Sequence, residues 1–174
     1  MSYISQVRYE GASSEVREQF DYQIRCHGRI TNMKKTLLHS VPSYKALMEW
    51  YTLRDVVQPF IGERGVNFFC YAISTENSCL ICSTFFAQIL SELGIEFEAF
   101  AFTEEEQLLI DYGRALVSKP HEIPEPIYEG LKKYFNEEQI VALTVFGSIM
   151  IATNLINTVL KVDLDDELVP YTKR

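Results

Sequence analysis

Two cysteines separated by two residues, Cys79 and Cys82, are the side chains of this chain best suited to chemistry. The preceding segment 75–78, Thr-Glu-Asn-Ser, favours turns and caps, so we expect a helix to begin near Ser78 and to carry both thiols on one face of its first turns. Two such thiols can form a disulfide without unfolding the helix. The N–H groups at a helix N-terminus stabilise a thiolate and can lower a cysteine pKa from about 8.5 to about 3.5–7.5. The spacing therefore predicts a redox-active dithiol.

The alternative interpretation of the pair is packing. The neighbouring side chains on the predicted helix are apolar: Leu80, Ile81, Phe85 and Phe86. A buried cysteine behaves as a small hydrophobic side chain, and both cysteines could fill space in such a helix. We favour the redox interpretation because alanine or valine would pack equally well at either position. The other two cysteines, Cys26 and Cys70, are predicted to be core or surface residues without a chemical role.

Other catalytic and metal sites lack their residue patterns. Zinc usually takes about four ligands, from a second Cys-x-x-Cys or a histidine pair, whereas His27, His39 and His121 are far apart in sequence. Cys26 and His27 are adjacent, but neighbours on a helix point about 100° apart and do not form a nucleophile with its base. The chain contains no glycine-rich phosphate loop and no Gly-x-Ser-x-Gly elbow. We therefore expect neither a metal nor a bound cofactor.

The composition limits the partners and the location. With 174 residues and 47% hydrophobic content, we expect a single domain over residues 1–174. A net charge of −8 would repel nucleic-acid phosphates. The first residues do not resemble a secretion signal, and no apolar run reaches the roughly 18 uninterrupted residues of a membrane span, because segment 140–160 carries Thr, Ser and Asn. We expect a cytoplasmic protein with no nucleic-acid or membrane partner and without structural disulfides.

Hydrophobic periodicity predicts helices along the chain and no strand of useful length. The helices are expected at 14–28, at 33–39, from Pro42 onwards, at 66–73, at 79–93, from Thr103 to Pro120, at 127–134 and at 137–160. A glycine-bearing break at 61–65 separates the third from the fourth, and Gly28 and Gly94 end two others. The last helix is apolar on most sides, so we expect its domain or another subunit to cover it.

Two helices have an additional start signal, the capping box. Thr103 with Glu106, and Asn136 with Gln139, have the spacing in which each side chain bonds the other residue's backbone N–H. The acidic residues after Thr103 also suit the positive end of the helix dipole. Both boxes fix helix starts independently of the hydrophobic pattern.

Three segments, in this order and spacing, resemble the carboxymuconolactone decarboxylase-like superfamily and within it the alkylhydroperoxidase D-like branch. They are residues 27–42, the buried helix ending at Ser74 with Cys79-x-x-Cys82 after it, and the tail from Phe135 through Asn154 and Asn157 to Asp165. Together they cover most of residues 27–165. The resemblance implies an all-α, compact alkylhydroperoxidase D-like fold of about seven to eight helices that assembles into dimers, trimers or hexamers.

The resemblance also implies roles for the two thiols. In the hydroperoxidase branch the second cysteine attacks the peroxide and the first resolves the sulfenic acid into a disulfide, which makes Cys82 the attacking and Cys79 the resolving residue. A protein thiol reductant or a small thiol then reopens the disulfide. The function implied is that of a thiol-dependent antioxidant enzyme that reduces peroxide or disulfide substrates.

Two positions depart from the family pattern. Family members typically place a glutamate twelve residues before the first cysteine and a histidine four after the second, where this chain has Asn67 and Phe86. Neither side chain can relay a proton, and losing a general base costs about 10²–10⁴ in rate. Glu76, His27 and His39 are the candidates for a substitute base. The alternative functions are a non-catalytic helical oligomer or small apolar ligand-binding protein, and thirdly a carboxymuconolactone decarboxylase-like enzyme.

Overall fold

Helices form all regular secondary structure in residues 2–172, the part of the chain that the computed structural model describes. Seven α-helices lie within this range: α1 (Ser14–His27), α2 (Asn32–Leu37), α3 (Val41–Glu76), α4 (Leu80–Glu92), α5 (Glu104–Ser118), α6 (Glu125–Tyr134) and α7 (Glu137–Val159). Short 3-10 helices lie at Tyr9–Gly11, Phe97–Ala99 and Asp166–Tyr171. The predicted all-α architecture is confirmed.

The longest helix, α3, changes direction at Gly62. This residue has φ 72° and ψ 167°, a conformation that glycine adopts without the steric cost of a side chain. Pro59, in the preceding turn, has no N–H to donate. The predicted break at 61–65 is therefore confirmed. It divides α3 into two rods, and the second is buried from Gly65 to Ser74, as predicted for segment 66–73.

The buried rod of α3 is the centre of the core. Helices α4, α5 and α7 pack against α3. Phe69 is fully buried and stacks on Phe146 of α7, with ring centroids 6.1 Å apart. A Cβ atom at Gly147 would lie 2.5 Å from Leu116 of α5, so only glycine fits this contact without rearrangement. The second rod of α3, which precedes the two cysteines, is thus packed against α4, α5 and α7.

The two predicted capping boxes are present. Thr103 Oγ1 accepts the Glu106 N–H at 3.2 Å, and the Glu106 carboxylate accepts the Thr103 N–H at 3.0 Å. Asn136 and Gln139 exchange the same pair of hydrogen bonds at 2.9 and 3.0 Å. Gly28, with φ 74°, ends α1 in the left-handed region. These helix ends are confirmed to within a residue.

Helix α7 is covered on one side. Its inner side includes the buried residues Leu143 and Phe146, whereas four aliphatic side chains are 46–61% exposed: Val141, Val145, Leu155 and Val159. By length and composition alone, α7 meets the two criteria for a helix that could span a membrane, although Thr, Ser and Asn interrupt its apolar run as the sequence shows. A core helix of a soluble protein meets them as well. Coverage of α7 by another subunit and a cytoplasmic location stay predictions.

A smaller apolar cluster joins α1 and α2 to the first rod of α3. Phe20, Leu38 and Tyr44 are buried in it. At the start of α2, the Asp165 carboxylate accepts the Asn32 N–H at 2.8 Å and ties this helix to the C-terminal segment. These contacts fix α2 against α3.

Candidate thiol site and its cavity

The two thiols lie at the N-terminus of α4. Cys79 caps the helix, with φ −84° and ψ 104°, and Cys82 lies in its first turn. Ser78 has a φ of 53°, and the Cys79 N–H donates to the Ser74 carbonyl at 3.0 Å, so the chain turns sharply between α3 and α4. Both thiols are free, and they are buried, with 1% of Cys79 and 6% of Cys82 exposed. The predicted helix start near Ser78 is confirmed.

The two sulfurs differ strongly in acidity. A hydrogen bond with the Cys82 side chain lowers the pKa of Cys79 to about 6 against the effect of burial, and the N–H groups of Cys82 and Ile81 and the Thr158 side chain contribute. The same hydrogen bond, together with burial and the Cys79 charge, raises the pKa of Cys82 well above its ordinary value. Titrations of such close groups belong to the pair. The hydrogen bond between the two sulfurs therefore favours the form in which Cys79 is the thiolate and Cys82 keeps the proton.

A cavity of about 290 Å³ lies beside Cys82. Cys82 lines this cavity, and Cys79 does not. Much of the wall is apolar and comes from α3, α4 and α7: Trp50, Ile81, Phe85, Phe86, Ile89 and Met150. The volume is close to the lower end of small-molecule sites, about 300–1,000 Å³. A small molecule in the cavity would therefore meet the sulfur of Cys82 rather than that of Cys79.

Asn157 of α7 contacts the sulfur of Cys82. Its Nδ2 donates a hydrogen bond to Cys82 Sγ at 3.2 Å, which lowers the pKa of Cys82 and opposes the larger upward effects. Asn157 lines the cavity, and its Oδ1 is buried without a hydrogen-bond partner. Asn157 carries part of the family resemblance, but nothing in the sequence predicts its contact with a cysteine 75 residues away.

The two positions that depart from the family pattern both face this cavity. Asn67 and Phe86 line it and are 6% and 3% exposed. The family spacing therefore predicts their location, while their chemistry differs from the family's. An amide does not titrate and a phenyl ring holds no proton, so neither residue supplies the usual relay, and lactone decarboxylation lacks its histidine.

The three candidates for a substitute base do not line the cavity. His27 stacks on Tyr51 with ring centroids 3.9 Å apart, and burial lowers its pKa. His39 is exposed, and its Nε2 lies 2.8 Å from the Ser5 carbonyl oxygen. Glu76 is exposed at the last residue of α3. His27 contacts the ring of Tyr51, and Tyr51 lines the cavity.

The cavity also contains a lysine that no sequence pattern predicts there. Lys34 of α2 is 6% exposed, lines the cavity and donates from Nζ to the Tyr51 hydroxyl at 2.7 Å. Burial, together with the Arg29 charge, lowers the pKa of Lys34 to about 8, and Asp165 acts in the opposite direction. In sequence, the pair Lys34-Lys35 resembles a solvated helix face. Only the packing of α2 against α3 buries the first of the two.

The remaining cysteines lie elsewhere. Cys26 is exposed on α1, and Cys70 is fully buried in α3, where burial raises its pKa far above the ordinary value. Neither lines the cavity beside Cys82. Their positions agree with the prediction of a surface and a core residue.

No family model and no curated protein matches the sequence, but solved structures share its shape. A peroxidase-related protein from Silicibacter sp. TM1040 has a TM-score of 0.76 and 15% identity, over 96% of this chain and 93% of that one. A peroxidase-related protein from Ralstonia eutropha JMP134 with an alkylhydroperoxidase AhpD core has a TM-score of 0.76 and 16% identity, over 96% and 94%. The chain has the alkylhydroperoxidase D-like fold.

A third similar structure is that of an enzyme named for a different reaction. The debrominase Bmp8, as a cysteine-to-alanine variant in complex with 2,3,4-tribromopyrrole, has a TM-score of 0.80 and 14% identity, over 98% of this chain and 96% of that one. The predicted alkylhydroperoxidase D-like fold is confirmed by the two peroxidase-related structures. At these identities the similarity concerns the alkylhydroperoxidase D-like fold alone, and the reaction has to be inferred from the site.

Proposed function

We propose that this protein is a thiol-dependent reductase of organic peroxides, in which Cys82 is the nucleophile and Cys79 is both its base and the resolving thiol. One observation carries the proposal. Cys82 lines a cavity and is hydrogen bonded to a second sulfur whose pKa is lowered to about 6. The thiolate is the reactive form of cysteine, and the neighbouring Cys79 sulfur gives the Cys82 thiol a base within hydrogen-bond distance.

The first step moves a proton within the dithiol. The Cys79 thiolate takes the proton of the Cys82 thiol, and the Cys82 sulfur attacks the terminal peroxide oxygen. The O–O bond breaks, a sulfenic acid forms on Cys82, and the alkoxide takes the proton back from Cys79 and leaves as an alcohol. The Asn157 Nδ2 hydrogen bond at 3.2 Å stabilises the transient Cys82 thiolate. The step does not require the family's histidine or glutamate.

The second step forms the disulfide. The Cys79 thiolate attacks the sulfenic sulfur of Cys82, and hydroxide leaves and is protonated by solvent to water. An external reductant, a protein dithiol or two small thiols, then reduces the disulfide by exchange and is itself oxidised to a disulfide. The proposed partners are this thiol reductant and the peroxide.

Stoichiometric oxidation followed by thiol counting and peptide mapping tests the proposal. One equivalent of cumene hydroperoxide is expected to convert the reduced protein to a Cys79–Cys82 disulfide and to leave Cys70 as a thiol. Cys79→Ser and Cys82→Ser should each prevent this disulfide. If all four thiols survive excess peroxide in the folded protein, the proposal fails, and the chain is a non-catalytic oligomer or a ligand-binding protein.

Reductive debromination is a second candidate, favoured by the aromatic side chains around the cavity. Trp50, Tyr51 and Phe85 line it and suit a flat ring, and the debrominase Bmp8 has the same fold. A brominated ring and the dithiol would give the debrominated ring, bromide, a proton and the disulfide. Bromide release from 2,3,4-tribromopyrrole in the presence of dithiothreitol, lost in Cys82→Ser, would support this reaction. No bromide release would exclude that substrate.

We also propose that the protein self-associates through the exposed side of α7. Val141, Val145, Leu155 and Val159 are spaced so that they lie on one side of the helix, and an apolar face of this kind is usually buried against a partner. Val145→Glu combined with Leu155→Glu is expected to give monomers in light scattering. The control is Val56→Glu, at a 51% exposed position on α3. A monomeric wild-type protein would refute self-association.

A further inference from the structure

Lys34 has one hydrogen-bond acceptor for its buried ammonium group among the described residues. Nζ donates to the Tyr51 hydroxyl at 2.7 Å and lies 5.0 Å from the Tyr51 ring centroid. An ammonium group has three N–H donors, so two are left without an acceptor. No ion pair between described residues includes Lys34. A buried charge in this state is unfavourable unless a counter-ion approaches it.

The charged groups around Lys34 do not provide that counter-ion. Arg29 repels the ammonium. Asp165 attracts it and lines the same cavity, but the two groups form no ion pair, and the Asp165 carboxylate accepts the Asn32 N–H at 2.8 Å. Five further titratable groups contact Lys34, act on it or share its cavity: His27, Tyr51, Arg54, Glu63 and Cys82. Glu63 is the one carboxylate among these five, and it is exposed. The positive charge of Lys34 is therefore left for a ligand to neutralise.

The rest of the cavity suits an apolar body. Trp50, Phe85 and Met150 contribute to its wall, and Cys82 lines the same space as Lys34. An apolar protein cavity of about 150 Å³ holds benzene. A cavity of about 290 Å³ therefore has room for one ring with a substituent or for a short alkyl chain.

We propose that the cavity binds a small organic acid, whose carboxylate pairs with the Lys34 ammonium and whose aromatic or alkyl body packs against Phe85 and Trp50. A charge-assisted hydrogen bond in a buried site is stronger than its neutral counterpart and would fix the orientation of the ligand. The inference rests on the proposed reductase, because it names the class of its substrate: the group that Cys82 reduces is carried by a carboxylic acid.

Trp50 provides a signal for the test. It is the single tryptophan of the chain and lines the cavity, so its fluorescence reports a ligand there. Phenylacetate and its neutral analogue phenylacetamide are suitable probes because the dithiol cannot reduce either. Phenylacetate is expected to change the fluorescence saturably, and phenylacetamide to bind about tenfold or more weakly, the worth of a hydrogen bond to a charged group. Calorimetry checks both affinities.

Lys34→Met removes the charge and retains most of the side-chain volume. It is expected to reduce the affinity for phenylacetate by about tenfold or more and to leave that for phenylacetamide unchanged. Lys35→Met is the matched control, since Lys35 lies on the same helix and does not line this cavity. Wild-type affinity for phenylacetate should fall as the pH rises above about 8, where the free protein loses the Lys34 charge.

Three results would overturn the proposal: no binding of phenylacetate, equal affinity for acid and amide, or unchanged phenylacetate affinity in Lys34→Met. If Lys34→Met does not fold, the comparison of acid with amide in the wild-type protein decides, and Lys34→Arg, which keeps the charge, should retain the preference for the acid. Phenylacetate binding without any Cys79–Cys82 oxidation would refute the reductase and leave the anion site in place. Formation of the Cys79–Cys82 disulfide without a preference for the acid would support the reductase and refute the anion site.

Discussion

Replacing Cys79 by serine separates the two roles proposed for this residue. Serine retains a hydroxyl of similar size but does not ionise at neutral pH. In the variant Cys82 loses the group that takes its proton, and it also loses the hydrogen bond to Cys79 and the Cys79 charge that raise its pKa. Burial still raises the Cys82 pKa, so little of this thiol is ionised at pH 7. Loss of a general base costs about 10²–10⁴ in rate, or about 3–5 kcal/mol of barrier. We expect the reaction of Cys82 with peroxide to slow by about 10² or more.

The assay is single-turnover consumption of cumene hydroperoxide, with dimedone to trap the sulfenic acid of the variant. The Cys79 pKa is lowered to about 6, so the base form is present above that pH and is lost below it. The wild-type rate should therefore be nearly constant above about pH 7 and fall as the pH drops through 6. In Cys79→Ser the rate should instead rise about tenfold per pH unit across the neutral range, because only directly ionised Cys82 reacts.

Cys26→Ser is the matched control, because this thiol is exposed on α1 and does not line the cavity. It should react like the wild-type protein. If Cys79→Ser consumes the first equivalent of peroxide at the wild-type rate and with the wild-type pH profile, Cys79 is only the resolving thiol. Another group would then ionise Cys82, and the proton transfer proposed within the dithiol would be wrong.

Three further changes have defined outcomes. Asn157→Leu removes the hydrogen bond to Cys82 and should slow the peroxide step about tenfold or more in the same assay; an unchanged rate would contradict a role for this contact. Cys82→Ala removes the hydrogen bond that is the largest cause of the lowered Cys79 pKa. The thiolate absorbance of Cys79 near 240 nm should therefore appear at a higher pH than in the wild-type protein. An unchanged titration would contradict the role of this hydrogen bond. Gly147→Ala would place a Cβ 2.5 Å from a leucine side chain and should lower the free energy of unfolding in urea by about 1–3 kcal/mol, whereas Gly11→Ala, with no atom within 4 Å, should change it little.

The features that the sequence predicts correctly are formed by residues that are close to one another in the chain. A capping box such as Thr103 with Glu106 is formed by residues within one helical turn. Gly28 ends α1 because glycine adopts the left-handed conformation without help from distant residues. The dithiol is equally local, because the turn at Ser78 and the start of α4 place both sulfurs together. The helix order and the candidate thiols therefore follow from sequence patterns alone.

The polar side of the cavity depends on contacts between distant segments. Lys34 meets Tyr51 because α2 packs on α3, and Asn157 meets Cys82 because α7 passes the start of α4. Neither Lys34 nor Tyr51 has an unusual sequence context. Asn67 and Phe86 lie on different helices as well, but the family spacing predicts that both belong to the site. A resemblance can therefore locate positions that local patterns cannot, but it does not reveal new partners such as Lys34.

The two departures from the family pattern and Lys34 belong to one cavity, so their effects are linked. A glutamate at position 67 would place a carboxylate in the cavity that holds the Lys34 ammonium, and the two charges would attract each other there. Asn67 brings no charge and Phe86 adds an apolar surface, so Lys34 keeps its unpaired charge and the wall becomes more suitable for an apolar body. The counter-ion then has to arrive with the ligand, and the proton for the chemistry has to come from the dithiol. The residues that exclude the usual relay thus favour both an acidic substrate and proton transfer between Cys82 and Cys79.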